Sequence, residues 1–392
     1  MFIEKQTQKR ISYYERLLKA LGSISGLFSD SPEPYLASRA TENLFCKAFD
    51  AKNLSRSDAS ADASKDNIGI GIKTFLEKNG QTMQKIAEFN SEHNMFSALS
   101  PEKKIRKIAK LRNERIDATK RIYKLDELIY HCLTRKAGKI LVYETPADLI
   151  QIKKIKGLKV AARGSSIQFR DSLAEYNFSV SKSTLFKRFI TPRKVIMEIP
   201  VRILSDPFDE LEKLISSGLI FAPIKVQPHV FLPLYSKKKG IKQVPEKSGL
   251  NQWNASGRPR DPNEIYIPIP AWIHRKFPTF FPKRDKVFEL TLPDRNMMSA
   301  KVCQDNSKAL MSNPNSALGK WLLRDILNLK DRELLTYEKL EEIGLDTVVI
   351  YKIDGGHYDI DFSRIGSYEG FEVENGENGK AETEALQGQD DE

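Results

Sequence analysis

The run Ile68-Gly-Ile-Gly-Ile-Lys73 constrains this chain more than any other stretch. Ile68, Ile70 and Ile72 alternate with Gly69, Gly71 and Lys73, which is the period of a strand with one buried face. Lys73 then points away from the isoleucines, beside two glycines that leave space above it. Before it stands Asp58-Ala-Ser-Ala-Asp62, in which Asp58, Ser60 and Asp62 share one face by the same period. Polar breaks at 64–67 and at Asn79-Gly80 supply turns. Two short hairpins would gather Asp58 or Asp62, Lys73 and Glu88 on one surface. That set suits metal-dependent phosphodiester hydrolysis. Carboxylate oxygens hold Mg2+, the metal acidifies a bound water, and a lysine positions that water or neutralises developing charge. A surface hairpin with solvated charges is the plain alternative.

The stretch resembles the core of the PD-(D/E)XK nucleases, in which an Asp begins one strand and Glu-x-Lys lies on the next. It departs from that pattern at Gly71, two before Lys73, where no carboxylate stands. The departure is similar to the EcoRII-like and CCGG-type restriction enzymes, where a carboxylate supplied later in the chain takes that role. Glu88 follows Lys73 by fifteen positions. The resemblance therefore implies Asp62 and Glu88 as metal ligands, with Asp58 as the other choice for the leading Asp. Asp58 precedes Lys73 by 15 positions and Asp62 by 11. Hairpin pairing favours Asp62. Glu42, in Thr41-Glu-Asn-Leu-Phe45, resembles the helix carboxylate that backs such sites, and its plain reading is a helix surface residue.

At 392 residues the chain has room for two or three domains. No run approaches the roughly 20 apolar residues of a membrane span. The N-terminus is too charged for a secretory signal. Cys46, Cys132 and Cys303, odd in number and far apart, suggest reduced core thiols and a cytoplasmic protein, not a disulfide frame or zinc cluster. The formal charge is +11, although the end of the chain is acidic, so the body is more basic than the total. A basic body suits a polyanion.

Helices are expected over 4–29 and 35–49, and a strongly basic one over 101–130, with Leu125, Leu128 and Ile129 at its apolar end. Arg56, in the loop before the hairpins, touches DNA or is merely solvated. Strand-like runs follow through 138–172. In Tyr176 to Phe189, Lys182, Lys187 and Arg188 with several serines are candidates for contact with bases and phosphates. The plain reading there is a strand running into a helix. Residues 194–204 read as a last strand and 206–217 as a short helix in a linker.

Composition then shifts to prolines and short β-runs, including 230–235, 264–269, 287–292 and 297–302. A helix is expected over 317–327, and strands over 347–351 and 358–362. This half, roughly 225–355, resembles the C-terminal DNA-recognition domain of the NgoFVII and BfiI restriction enzymes. That domain is a seven-stranded pseudobarrel related to the plant B-three fold and to the effector-binding half of EcoRII. Asn263-Glu-Ile-Tyr-Ile-Pro-Ile269 and Lys308-Ala-Leu-Met-Ser-Asn313 carry the resemblance. It implies two arms that clasp the major groove. The first would be residues 251–260, with Asn251, Gln252, Trp253, Asn254, Arg258 and Arg260. The second would be residues 304–313, with Gln304, Asp305, Asn306, Lys308, Ser312 and Asn313. Arg reads guanine, Asn and Gln read adenine, and Asp accepts from cytosine. Two polar surface loops are the alternative.

The expected fold is α+β: an N-terminal α/β restriction-endonuclease-like domain (1–205), a linker (206–224), a mostly-β pseudobarrel that recognises DNA (225–365) and a disordered acidic tail (366–392). The resemblances together imply a type II restriction endonuclease that uses Mg2+ to cut double-stranded DNA, with no membrane partner. They leave room for a homodimer, and imply a cognate DNA methyltransferase as functional partner without direct contact. A sequence-specific DNA-binding regulator with an inactive nuclease-like domain is the alternative, kept open by Gly71. A phospholipase-D-type nuclease fails, because the one His-x-Lys pair, His274 and Lys276, is followed by Phe281 where an Asp is needed.

Overall fold

A computed structural model describes residues 1–54, 59–216 and 227–376. Asp58 and Arg56 lie outside the described residues. The chain divides into two units, residues 1–224 and 225–392.

In the first unit, α1 (Gln8–Ser23) and α2 (Ser38–Phe49) lead to β1 (Lys52–Asn53), β2 (Ala63–Lys65), β3 (Ile68–Leu76) and β4 (Gln81–Glu88). Then come α3 (Pro101–Tyr123), β5 (Glu127–Lys136), β6 (Lys139–Pro146), β7 (Lys156–Val160), β8 (Ser166–Arg170), β9 (Glu175–Ser179), β10 (Thr184–Ile190), β11 (Met197–Pro200) and α4 (Pro207–Ser216). Two sheets result, one ordered β1-β2-β3-β5-β6-β11 and the other β4-β10-β9-β8-β7.

The centre of the first sheet is the β3–α3–β5 unit. β3 and β5 are parallel, with Lys73 beside Cys132 and Gly71 beside Tyr130. Parallel neighbours need such a crossover, and a helix supplies it. Pro101 fits the first turn of α3, where an N–H would lack a partner anyway. Ile105, Ile108, Ala109, Leu111 and Ile116 recur at helical spacing and are buried. The helix stops at Tyr123, with Lys124 left-handed. Leu128 and Ile129, expected at its apolar end, belong to β5 instead. Parallel strands are buried on both sides, so their apolar runs look helical in the sequence.

Ile70, Ile72, Ile129 and Leu133 pack with Tyr14, Phe45 and Phe49 in one core. α3 packs with Phe169, Tyr176, Phe178 and Leu185 of the second sheet in another. β3 is thus covered on both sides, and the space expected beside the glycines is filled. A Cβ on Gly69 would come 2.8 Å from Leu125. Residues 184–190 form a strand, not a helix. α4, expected in a linker, lies against the first unit: a Cβ on Gly26 would meet Pro207 at 3.3 Å.

The second unit contains β12 (His229–Pro233), the hairpin β13 (Ser236–Lys238) and β14 (Ile241–Gln243), β15 (Ile267–Pro268), α5 (Ala271–Lys276), β16 (Val287–Thr291), β17 (Met297–Cys303) and β18 (Ala309–Ser312). It continues with α6 (Ala317–Gly319), which runs into a π-helix at Lys320–Ile326, then α7 (Tyr337–Ile343), β19 (Leu345–Lys352), β20 (His357–Arg364) and α8 (Ser367–Asn375). Seven strands form one sheet ordered β12-β19-β20-β16-β17-β18-β15. β12 and β15, at its two ends, approach each other, so the sheet is nearly closed. α8 corrects the expectation of a disordered tail from 366. Its Phe371 is buried and its ring lies 5.3 Å from Phe231 and 5.5 Å from Trp272. The tail's acidic composition hid this apolar anchor.

All three cysteines are free and buried. Burial pushes the thiols of Cys46 and Cys132 up to about 12, so neither is a ready nucleophile. No helix among the described residues is long and apolar enough to cross a membrane.

Candidate functional site

Asp66 and Asn67, at φ 50° and 59°, turn the chain from β2 into β3 and set the register. Ala63 faces Ile70, so Asp62 arrives opposite Gly71. The Asp62 N–H donates to the Ile70 carbonyl at 2.9 Å, and its Oδ2 accepts from the Ile72 N–H at 2.7 Å. The residue is thereby clamped to the backbone on both sides of Gly71. Burial pushes its carboxyl up from the usual range, while Lys73, the Ile72 N–H and Arg39 pull it back. Asp62 and Lys73 are therefore brought together as the hairpin pairing suggested.

Glu42, on α2, shares the Arg39 guanidinium with Asp62, whose carboxyl the same charge pulls down. It is buried, with Arg39 Nη1 3.2 Å from its Oε2. The charges of Glu42 and Asp62 both act on the Cys46 thiol, one turn further along α2. Glu42 thus faces inward, which excludes the helix-surface alternative. Hard carboxylate oxygens from two elements are a donor set that suits Mg2+, which keeps waters and takes only one or two protein carboxylates. Among the described residues, no group of three or more His, Cys, Asp or Glu is arranged to hold a metal ion.

Glu88 is placed differently. It closes β4, whose partner is β10 of the second sheet. Its Oε2 accepts from Lys85 Nζ at 2.8 Å, Asn90 donates to its Oε1, and Arg115 donates to its carbonyl. At about 3.3 Å per residue, Glu88 lies roughly 23 Å along β4 from the 77–80 turn, and Lys73 roughly 10 Å along β3 from it. The expectation that the second hairpin returns a carboxylate to Lys73 does not hold, because β4 leaves the first sheet.

What stands beside Gly71 is Tyr130. A Cβ at 71 would come 3.1 Å from the Tyr130 ring, so this close approach calls for glycine. Lys73 Nζ lies 5.8 Å from the Tyr130 centroid and Lys187 Nζ 5.4 Å from it, and Arg112 Nη2 donates to the Tyr130 hydroxyl at 3.4 Å. Lys187 is buried on the inner side of β10. It donates to the Pro146 carbonyl at 3.3 Å, and burial pushes its ammonium down. It is therefore no surface phosphate contact. Arg188 is paired with Glu175 at 2.8 Å, while Lys182 is exposed.

In the second unit the expected arms separate into anchors and tips. Asn251 is buried. Its Nδ2 donates to the carbonyls of Pro245 and Leu335, and its Oδ1 accepts from the Leu335 N–H. Arg260 is nearly buried. Its Nη1 donates to the carbonyls of Ala255, Ser256 and Arg258, and Glu264 lies 3.5 Å from its Nε. Ser312 is fully buried, donates to the Pro314 carbonyl and accepts from the Leu318 N–H. The polar atoms of these three are engaged within the protein, where they hold the loops in shape. Asn254 donates to the Glu246 carbonyl. Gln252 and Trp253 are half-buried.

Arg258 is exposed, although it bonds Glu264 at 2.6 Å. The other arm keeps exposed Asp305, Asn306, Lys308 and Asn313, with Gln304 and Asn306 left-handed at φ 65° and 58°. Gln304 is half-buried.

A further polar element was absent from the expectations. The β13–β14 hairpin turns at Lys239-Gly240 and presents exposed Lys237, Lys238 and Lys239. Lys242 braces it by bonding buried Asp346 at 2.8 Å and Glu369 of α8 at 2.6 Å. The run Ser236-Lys-Lys-Lys-Gly240 was the available signal.

Residues 227–354 match the family model of the NgoFVII C-terminal B3-like DNA-binding domain. The match spans about a third of the chain and most of the seven-stranded sheet. No curated protein matches the sequence. Residues 227–354 are thus a B3-like DNA-binding domain, similar to that of the NgoFVII restriction enzyme, and double-stranded DNA is the partner that the domain implies.

Proposed function

We propose that the chain is a type II restriction endonuclease, whose B3-like domain selects a sequence and whose first unit cuts both strands with Mg2+. The observation that carries this is Asp62, clamped on both sides of Gly71 with Lys73 two residues on and Glu42 behind, in a chain that also holds a restriction-enzyme DNA-binding domain.

In this reading Asp62 and Glu42 would hold Mg2+, which would acidify a bound water and offset charge on the phosphate. Asp62 is kept in orientation by the Ile72 N–H, so its other oxygen is free to turn to the metal. Lys73 orients the attacking water or meets the charge that develops on the phosphoryl oxygens. The Tyr130 ring faces the Lys73 ammonium, 5.8 Å from its centroid. Arg258, Gln304, Asp305, Asn306, Lys308 and Asn313 are the groups with reach for base edges and phosphates, joined by Lys237–Lys239. A cognate methyltransferase would protect host DNA.

The second reading, a regulator with an inactive nuclease-like unit, is favoured by one fact: Tyr130 fills the place of the usual carboxylate. Incubation of full-length protein with plasmid of known sequence separates the two. Discrete fragments in Mg2+ and none in EDTA support the nuclease. Stable binding with no cuts in Mg2+ or Mn2+, on DNA of all sequences, supports the regulator.

A further inference from the structure

From residue 149 to residue 170 the chain contains no Asp or Glu, yet it carries Lys153, Lys154, Lys156, Lys159, Arg163 and Arg170. All six are exposed. They sit on β7, the edge strand of the second sheet, on its neighbour β8 and on the turns that flank them.

The local fold gathers three of them, Lys156, Lys159 and Arg170, on one face. Gly157, at φ +68°, makes a bulge that lets Lys156 and Lys159 both take outward positions, opposite Arg170 and Gln168. The inward positions of β8, Ile167 and Phe169, are buried in the core against α3. With strands about 4.8 Å apart and about 3.3 Å per residue, Lys156, Lys159 and Arg170 cover a patch roughly 5 by 10 Å. Lys153, Lys154 and Arg163 extend it at both ends.

These cations are also uncompensated. None of the six has a carboxylate within 4 Å among the described residues, whereas others in this unit do: Lys85 with Glu88, Arg188 with Glu175, Lys139 with Glu198 and Arg106 with Glu102. Glu175, the cross-strand neighbour of Arg170, is engaged by Arg188 at 2.8 Å, so the edge around Lys156 and Lys159 keeps its positive charge, and such an edge lowers its self-repulsion by meeting a polyanion. The polyanion that the B3-like match over residues 227–354 implies as a partner is duplex DNA.

We propose that the β7–β8 edge is a second, sequence-independent DNA-binding surface that grips the phosphate backbone outside the recognised sequence. Its phosphate contacts release counterions, so it adds affinity and salt dependence but no sequence preference. The proposal does not depend on cleavage.

The test uses full-length protein, a random-sequence duplex of about 30 base pairs and EDTA, so that no cutting intervenes. Affinity is measured by anisotropy from low to moderate salt for wild type and for Lys154→Gln/Lys156→Gln/Lys159→Gln. Each lysine that ceases to neutralise a phosphate should flatten the slope of log affinity against log salt by about 0.9, so the slope of the triple variant should be shallower by between about 1 and 2.7. Its melting temperature should match wild type, because all three side chains are exposed. An unchanged slope with the fold intact overturns the proposal. Loss of binding to phosphatidylserine vesicles with an unchanged DNA slope would assign the edge to an anionic membrane surface and likewise overturn it.

Discussion

Asn251 is the residue where a reading role and a structural role give opposite outcomes. Its side chain makes three hydrogen bonds in an almost fully buried position: Nδ2 to Pro245 O at 3.1 Å and to Leu335 O at 2.9 Å, and Oδ1 from Leu335 N at 2.9 Å. Asn251→Ala removes all three and strands the Leu335 N–H and both carbonyls away from water. At about 1 kcal/mol net for each bond, the loss is about 3 kcal/mol. For a unit of this size that is a fall in Tm of roughly 6–12 °C.

All three tryptophans, Trp253, Trp272 and Trp321, lie in the second unit. Their fluorescence therefore follows its unfolding selectively within the full chain. Urea titration should show an earlier midpoint with an unchanged slope. Below the unfolding temperature, binding to cognate and random duplexes should fall together or not at all. A variant as stable as wild type that loses only its preference among sequences would refute the structural role and return Asn251 to the set of base readers.

Glu88→Ala should leave cleavage within a few-fold of wild type, because its carboxylate is engaged by Lys85 and Asn90; loss of cutting with intact DNA binding would restore it as a ligand. Lys73→Met removes the strongest charge that pulls the Asp62 carboxyl down, so the acid limb of any residual activity should move to higher pH; a limb that stays in place contradicts the Asp62–Lys73 coupling. Asp62→Asn keeps an acceptor for the Ile72 N–H and removes a desolvated charge. A carboxyl raised by folding binds more protons in the native state, so wild-type stability declines as pH rises through the interval between its unfolded and folded values. The variant should therefore gain on wild type across that interval and equal it below, as measured by urea melts at several pH values.

Much of the site's frame was legible. Alternation at 68–73 gave the strand, and the Asp66-Asn67 break gave the register that brings Asp62 to Gly71. The prolines and short β-runs after residue 225 marked the nearly closed sheet. The misses share a cause, since local pattern does not say what a side chain meets. The period of β4 is the same whether it joins the first sheet or the second, so Glu88 was misplaced. Asn251, Arg260 and Ser312 are polar residues in or beside loops, like base readers, yet they turn inward because loop backbone groups need partners. Gly71 looked like open space, and only the fold brings Tyr130 against it. α8 lay hidden in acidic composition, where Tyr368 and Phe371 were the only apolar anchors of note.

One paired measurement tests the central claim. Wild-type protein and Asp62→Asn are each given the same duplex, with binding read in Ca2+ and cleavage read in Mg2+. Wild type should make discrete double-strand cuts and Asp62→Asn none, with binding constants that agree within about two-fold, if recognition lies in the B3-like domain at residues 227–354 and chemistry at the Asp62 hairpin. Wild-type rates of cutting by Asp62→Asn would contradict that claim and move the metal ligands away from the β2–β3 hairpin.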